Sequence, residues 1–180
     1  DFLAGGELNE QHSTVKFLFT IASLKKPIVA AVAGPAIGIG TTMLLHCDMV
    51  FAADNTVFQL PFAHLGLCPE AASSLLLAQQ VGHQKAFELL VVGQKFDAET
   101  AQKCGFVNNI ESSSNVIATA LNCAKTVSKL SSDAVLSSKA LLKNANQQLV
   151  EDTIKLELQH FGKLLNSQQC KNIISQFFTK

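Results

Sequence analysis

Apolar residues follow two different periods along this chain, and the change of period divides it. Residues 27–33 (PIVAAVA) form an unbroken apolar run without alternation, as expected of a strand covered on both faces. Gly34 and Pro35 end it. A short helical pattern follows over 39–46, and 48–53 (DMVFAA) and 56–60 (TVFQL) predict two further strands. Upstream, Val15, Phe17, Leu18, Ile21 and Ala22 recur at helical spacing within 13–24. From Ala71 onward the period settles near 3.6, predicting helices over 75–81 and 86–92 with Gly82 and Gly93 as natural stops. Asp97, ahead of Ala98, Glu99 and Thr100, reads as the N-cap of a short helix that Gly105 terminates. A last strand is predicted over 106–110, and then helices over 115–127, 133–144, 149–165 and 167–178.

Composition narrows the class. The 180 residues are 48% apolar and 16% charged, which suits one domain with a substantial core. All 14 basic residues are lysine, matched by 14 acidic ones. Without arginine the planar forks that read phosphates and guanine edges are missing, so no nucleic-acid partner is expected. Zero net charge on a mean hydropathy of +0.25 leaves little repulsion between apolar patches, and an oligomer is expected. Cys47, Cys68, Cys104, Cys123 and Cys170 show no CxxC spacing and suggest buried thiols in a reducing compartment, the cytoplasm if the source is bacterial. No apolar stretch approaches the ~18 residues of a membrane span, and no targeting signal is visible; Phe178-Thr179-Lys180 is neither a peroxisomal nor a retention tripeptide.

Three segments could carry chemistry. Residues 34–42 (GPAIGIGTT) place glycines between a strand and a helix, where free amides can meet an anion or a developing oxyanion. The specific nucleotide signatures fail, since no Lys-Ser/Thr follows and no third glycine has dinucleotide spacing; tight packing is the competing reading. Residues 1–8 (DFLAGGEL) end an apolar stretch with two glycines, which alone describes an ordinary turn. Residues 62–70 (FAHLGLCPE) set Glu70 directly after a proline among apolar neighbours. Glu70 is either a first-turn helix residue favoured by the dipole or a general base whose pKa burial raises. His64 has no second histidine or carboxylate at ligand spacing, so no metal site is expected.

In this order, the segments resemble the crotonase superfamily of enoyl-CoA hydratases and isomerases. Residues 2–8 look like its first oxyanion segment, 26–40 (KPIVAAVAGPAIGIG) like its second, and 48–58 (DMVFAADNTVF) like the strands that follow; 86–93 and 98–110 are similar to its downstream helix and strand. The resemblance implies an α/β ClpP/crotonase-like fold, a spiral of ββα turns with nearly perpendicular sheets over 1–130, followed by a helical trimerisation region over 131–180. It also implies that the backbone amides of Gly6 and Ile39 form the oxyanion hole. At the two positions where hydratases carry glutamates this chain has Thr42 and Phe62. Residues 61–74 instead resemble the peroxisomal-type Δ3,Δ2-enoyl-CoA isomerases, whose catalytic glutamate corresponds to Glu70. The chromodomain Y-like proteins share the segment but replace that glutamate.

Three departures from the family pattern are evident. Glu7 stands where the family has aspartate, the stretch 8–27 is shorter than usual, and the chain starts at the first oxyanion motif without the strand-rich segment expected before it. The implied reaction moves the double bond of a 3-enoyl-CoA to give trans-2-enoyl-CoA, with Glu70 as base. Phe62, Leu65, Leu67 and Leu75 are candidate acyl-pocket residues. An acyl-CoA thioester is the expected substrate, no cofactor or metal is needed, no membrane partner is expected, and the assembly is a homotrimer or hexamer. A hydratase and a non-catalytic acyl-CoA or protein-binding module are the alternatives.

Overall fold

The computed structural model describes Leu8 and residues 11–178. The chain opens with α1 (Ser13–Ser23), whose first turn is capped by His12 Nδ1 accepting from the Thr14 amide at 3.3 Å and whose inner face buries Val15, Leu18, Ile21 and Ala22. Strands β1 (Val29–Val32) and β2 (Ala36–Ile37) follow, then the one-turn helix α2 (Ile39–Thr42), which tightens into a 3-10 turn over Met43–His46. Next come β3 (Met49–Ala53), β4 (Val57–Gln59) and a 3-10 turn at Ala63–Leu65. Helix α3 (Ser73–Val81) leads into α4 (His83–Phe87), which widens into a π turn at Glu88–Val92. Strand β5 (Phe96–Asp97), helix α5 (Ala98–Lys103) and strand β6 (Asn109–Glu111) complete the mixed region. Four helices close the chain: α6 (Val116–Ser128), α7 (Ser132–Asn144), α8 (Gln147–Leu165) and α9 (Gln168–Phe178).

The strands form two three-stranded sheets. One has the order β1-β3-β6, all parallel, with Val29 opposite Met49 and Phe51 opposite Asn109. The other has the order β2-β4-β5, parallel between β2 and β4 and antiparallel between β4 and β5. From β1 to β4 successive strands alternate between the sheets, so the parallel neighbour of β1 or β2 arrives one turn of chain later. Short connections cannot join parallel neighbours, and this winding supplies the crossovers.

The core gathers Leu18, Phe58, Leu60, Leu77 and Ile154, each essentially inaccessible. Phe58 stacks on Phe96 at 5.5 Å and meets the edge of Phe106 at 5.7 Å. Helix α8 packs on α1 and α3 and buries Val150, Ile154, Glu157 and Phe161 along one stripe, which puts a carboxylate inside an apolar face.

The predicted strand 106–110 begins only at Asn109. Phe106 and Val107 turn into the core, and Asn108 imitates strand pairing: its amide donates to Val50 O at 2.8 Å while its side-chain oxygen accepts from Val50 N at 2.7 Å. The two-residue strands β2 and β5 have no period to read, since their partners in β4 define them. Asp97 caps α5 as expected, accepting from Thr100 N at 2.8 Å.

Candidate active site

The turn between β2 and α2 depends on Gly38, which takes φ +56°, a conformation costly for a side chain. Its amide donates to Gln59 O at 2.8 Å, and its carbonyl accepts from Thr41 and Thr42. Ile39 is the first residue of α2, so its amide has no carbonyl one turn earlier within the helix to bond. One turn on, Thr42 is fully buried, and its hydroxyl donates to Glu70 Oε1 at 2.5 Å. The helix that presents the Ile39 amide is thus bonded directly to the carboxylate.

Glu70 is 1% exposed, yet its second oxygen, Oε2, has no hydrogen-bond partner among the described residues. Burial pushes its pKa up to about 7; the Thr42 hydrogen bond pulls it down, and the negative charge of Glu157 pushes it up further. Such a group sits near the optimum for exchanging protons at neutral pH. A buried carboxylate oxygen without a partner is costly to the fold.

The backbone after Glu70 is unusual. Ala71 and Ala72 both lie in the left-handed region, at φ 60° and 54°, where alanine rarely goes. Several bonds hold them. Ser73 Oγ and Ser73 N both donate to Glu70 O, at 2.6 and 3.0 Å. His46 Nε2 lies 2.7 Å from Ala71 O, and since a carbonyl only accepts, the ring carries its proton on that nitrogen. Burial lowers the His46 pKa, which keeps the ring neutral.

Of the expected site residues, Glu70 and Ile39 come together through Thr42. Gly6 and Glu7 lie outside the described residues, and the first oxyanion segment is described only at Leu8. Phe62 and Leu67 are packed into the core, while Leu65 and Leu75 are half-buried against it. Clefts of about 550 and 440 Å³ flank α7, lined respectively by residues such as Lys25, Lys139 and Lys143 and by residues such as Pro27, Val127 and Val135. None of their lining residues belongs to the turn around Glu70. Among the described residues no group of histidine, cysteine, aspartate or glutamate could hold a metal ion, and no helix is long and apolar enough to cross a membrane.

The family model described as enoyl-CoA hydratase/isomerase matches residues 7–180. The chain belongs to the enoyl-CoA hydratase/isomerase family. It is similar to enoyl-CoA delta isomerase 2 of Rattus norvegicus, 33% identical over 165 residues that cover 92% of this chain and 42% of that protein. It is also similar to 2,3-dehydroadipyl-CoA hydratase of Escherichia coli, 30% identical over 99% of this chain and 74% of that protein. An enoyl-CoA hydratase/isomerase from Pseudoalteromonas atlantica T6c superimposes with a TM-score of 0.90 at 41% identity, covering 96% of this chain and 70% of that one. The fold is therefore the crotonase fold. The chain spans only about two fifths of the length of the rat relative, and relatives of both activities match it.

Within this hydratase/isomerase scaffold, three residues around Glu70 were not evident from sequence. Thr42 stood out only as a missing acid, yet it is the hydrogen-bond donor to Glu70. His46 and Glu157 gave no local signal, because their partners lie 25 and 85 positions away. One clue was available: α3 starts after two alanines and lacks any capping side chain, so its buried amides had to find an acceptor elsewhere.

Proposed function

We propose that this protein shifts the double bond of a 3-enoyl-CoA thioester to C2, giving trans-2-enoyl-CoA, as in the β-oxidation of unsaturated fatty acids. The observation that carries this reading is the buried carboxylate of Glu70, with one oxygen that has no partner among the described residues and a pKa of about 7. It stands on the scaffold of the enoyl-CoA hydratase/isomerase family, with a threonine and a phenylalanine where a hydratase would have its acids.

Glu70 as carboxylate takes a proton from C2. The electron pair of that C–H bond moves into the thioester, whose oxygen becomes negative as a dienolate forms. The amides of Ile39 and Gly6 would donate to that oxygen, and each such donor contributes ~10²–10³-fold. The protonated Glu70 then returns the proton to C4, the C3–C4 double bond is used up, and C2–C3 becomes the double bond. One carboxylate within reach of both carbons suffices, and the chemistry needs no metal or redox cofactor. Thr42 holds the carboxylate through Oε1 and leaves Oε2 for the substrate. Phe62, Leu65, Leu67 and Leu75 supply apolar surroundings for the acyl chain, and assembly as a trimer or hexamer would cover leucines such as Leu141 and Leu142, which are 77% and 84% exposed.

The test is a pair of spectrophotometric assays, one with 3-enoyl-CoA and one with 2-enoyl-CoA. Isomerisation should exceed hydration by at least ~10²-fold, about the contribution of one positioned acid or base. Glu70→Gln should cut isomerisation by ~10²–10⁴-fold while acyl-CoA binding persists. Equal rates on the two substrates would move the function to a hydratase, and a fully active Glu70→Gln would remove Glu70 as the base.

A further inference from the structure

The start of α3 poses a question of hydrogen bonding. The first amides of any helix need acceptors from outside it, and Ala72, at the N-cap, has none to give. The acceptor is Glu157, which reaches in from α8. Its Oε2 accepts from Ala72 N at 2.6 Å, and its Oε1 from Ser74 N at 3.0 Å and from Ser74 Oγ at 2.5 Å. The backbone carbonyl of Glu157 in turn lies 3.9 Å from Cys68 Sγ. Residues on both sides of Glu70 are therefore tied to one residue of a distant helix.

Glu157 is 6% exposed, and among the described residues no cation pairs with it. A buried carboxylate without a counter-ion is rare. A neutral Asn or Ser on the α3 side could satisfy the same amides without burying a charge, so the cap alone does not account for this carboxylate. We propose that Glu157 is a positioning residue for Glu70, holding the left-handed turn that carries the base and setting a second negative charge beside it. The proposal rests on the reading of Glu70 as the base.

The electrostatics agree with the geometry. Burial raises the Glu157 pKa, while the Ser74 and Ala72 donors lower it by stabilising the anion. The negative charge of Glu157 is among the causes that raise the Glu70 pKa. Glu157 has an amide donor on each oxygen and Glu70 only one hydroxyl, so the donors favour the anion more at Glu157 than at Glu70. The other titratable groups near the turn do not compete for this role. Burial and Glu157 together push the Cys68 thiol up to about 11, and neutral His46 bonds Ala71 O on the far side.

The experiment compares wild type with Glu157→Gln, Glu157→Asp and Glu70→Gln, each checked for folding by circular dichroism. The first readout needs no activity. In protein labelled with 13C-glutamate, the Glu70 carboxyl resonance, identified by its absence in Glu70→Gln, is titrated by NMR. In Glu157→Gln its midpoint should move down from about 7, because a neighbouring negative charge is gone. An unmoved midpoint overturns the proposal. The second readout is kinetic: with 3-enoyl-CoA, Glu157→Gln should lose ~10–10²-fold in kcat with KM within ~3-fold, the pattern of a misplaced base. Glu157→Asp, which keeps the charge on a shorter stem, should recover part of kcat. If Glu157→Gln fails to fold, Glu157→Asp decides alone: a reduced kcat with the midpoint still raised supports positioning, and wild-type kcat overturns it. If wild type does not isomerise 3-enoyl-CoA at all, the functional reading fails, while the NMR titration still tests the link between the two carboxylates.

Discussion

Asp48 and Glu70 are both carboxylates on turns that follow the second glycine motif, yet only Asp48 meets a cation. Lys139 Nζ, on α7, lies 2.6 Å from Asp48 Oδ2 and also donates to Lys26 O at 2.8 Å, while the Ile28 amide donates to the same Asp48 oxygen at 2.7 Å. Every charge there has a partner, and the result is a stitch between the start of β1, the turn before β3 and the C-terminal helices. Glu70 has a hydroxyl on Oε1, no partner for Oε2 among the described residues, and the negative charge of Glu157 acting on it. A neutralised pair fixes structure, whereas an uncompensated carboxylate keeps a proton affinity near neutrality that chemistry can use.

If that contrast is right, breaking the stitch should cost the most stability. Lys139 is 7% exposed at its side chain and Asp48 29%, so Lys139→Met removes a largely buried partner. We expect a loss of about 3 kcal/mol, the lower end for a broken buried pair because Asp48 keeps some water. Urea denaturation measures it, and a change under about 1 kcal/mol would mean that the pair stabilises no more than an exposed one.

The opposite sign is expected at Glu70. The pKa of Glu70 is raised from 4.5 to about 7 on folding, so its contribution to stability is fully present below pH ~4.5 and is lost as pH rises through 7. Glu70→Gln, which cannot ionise, should therefore be more stable than wild type at pH 8 by on the order of 3 kcal/mol, with the gap closing in mild acid. Thermal unfolding at pH 8 and pH 5 reads this directly. A variant less stable than wild type at pH 8 would show that the charge at Glu70 does not strain the fold. The same ionisation should appear in wild-type kcat/KM for isomerisation as an acid limb near pH 7.

The smallest effect compares two buried alanines. Ala72 and Ala52 are both fully inaccessible, but Ala72 sits at φ 54° and Ala52 lies in β3. Ala52→Gly should cost about 1.5 kcal/mol in methyl burial and backbone entropy. At Ala72 the relief of ~1–2 kcal/mol of left-handed strain offsets a similar loss, so Ala72→Gly should fall within ~0.5 kcal/mol of wild type. Equal losses at the two sites would show that the turn carries no strain.

What the sequence revealed of all this depended on distance along the chain. Helix α1, the Asp97 cap on Thr100 and the turns at Gly93 and Gly105 rest on neighbours within a few residues, and those were legible. Glu70 was legible as a candidate because a carboxylate after proline in an apolar run is conspicuous, though spacing alone left cap and base open. The Thr42 bond spans 28 positions and the Glu157 bonds as many as 85. No local pattern reports on them, since winding of the spiral alone decides which side chains meet. Strand β5 was missed for the same reason, its two residues being defined by Val57 and Phe58 opposite them.

The tether between Ala72 and Glu157 also sets a timetable for synthesis. Glu157 is made 87 residues after Glu70, roughly 4–17 s later at ribosomal speeds of about 5–20 residues per second. During that interval the early strands and α3 can emerge and pair, but the amides at Ala72 and Ser74 have nothing to receive them. The turn at Glu70 thus gains its anchor only once α8 has been made, and a nascent or truncated chain lacking α8 holds Glu70 and the turn at Gly38 without the contact that orders Ala72 and Ser74.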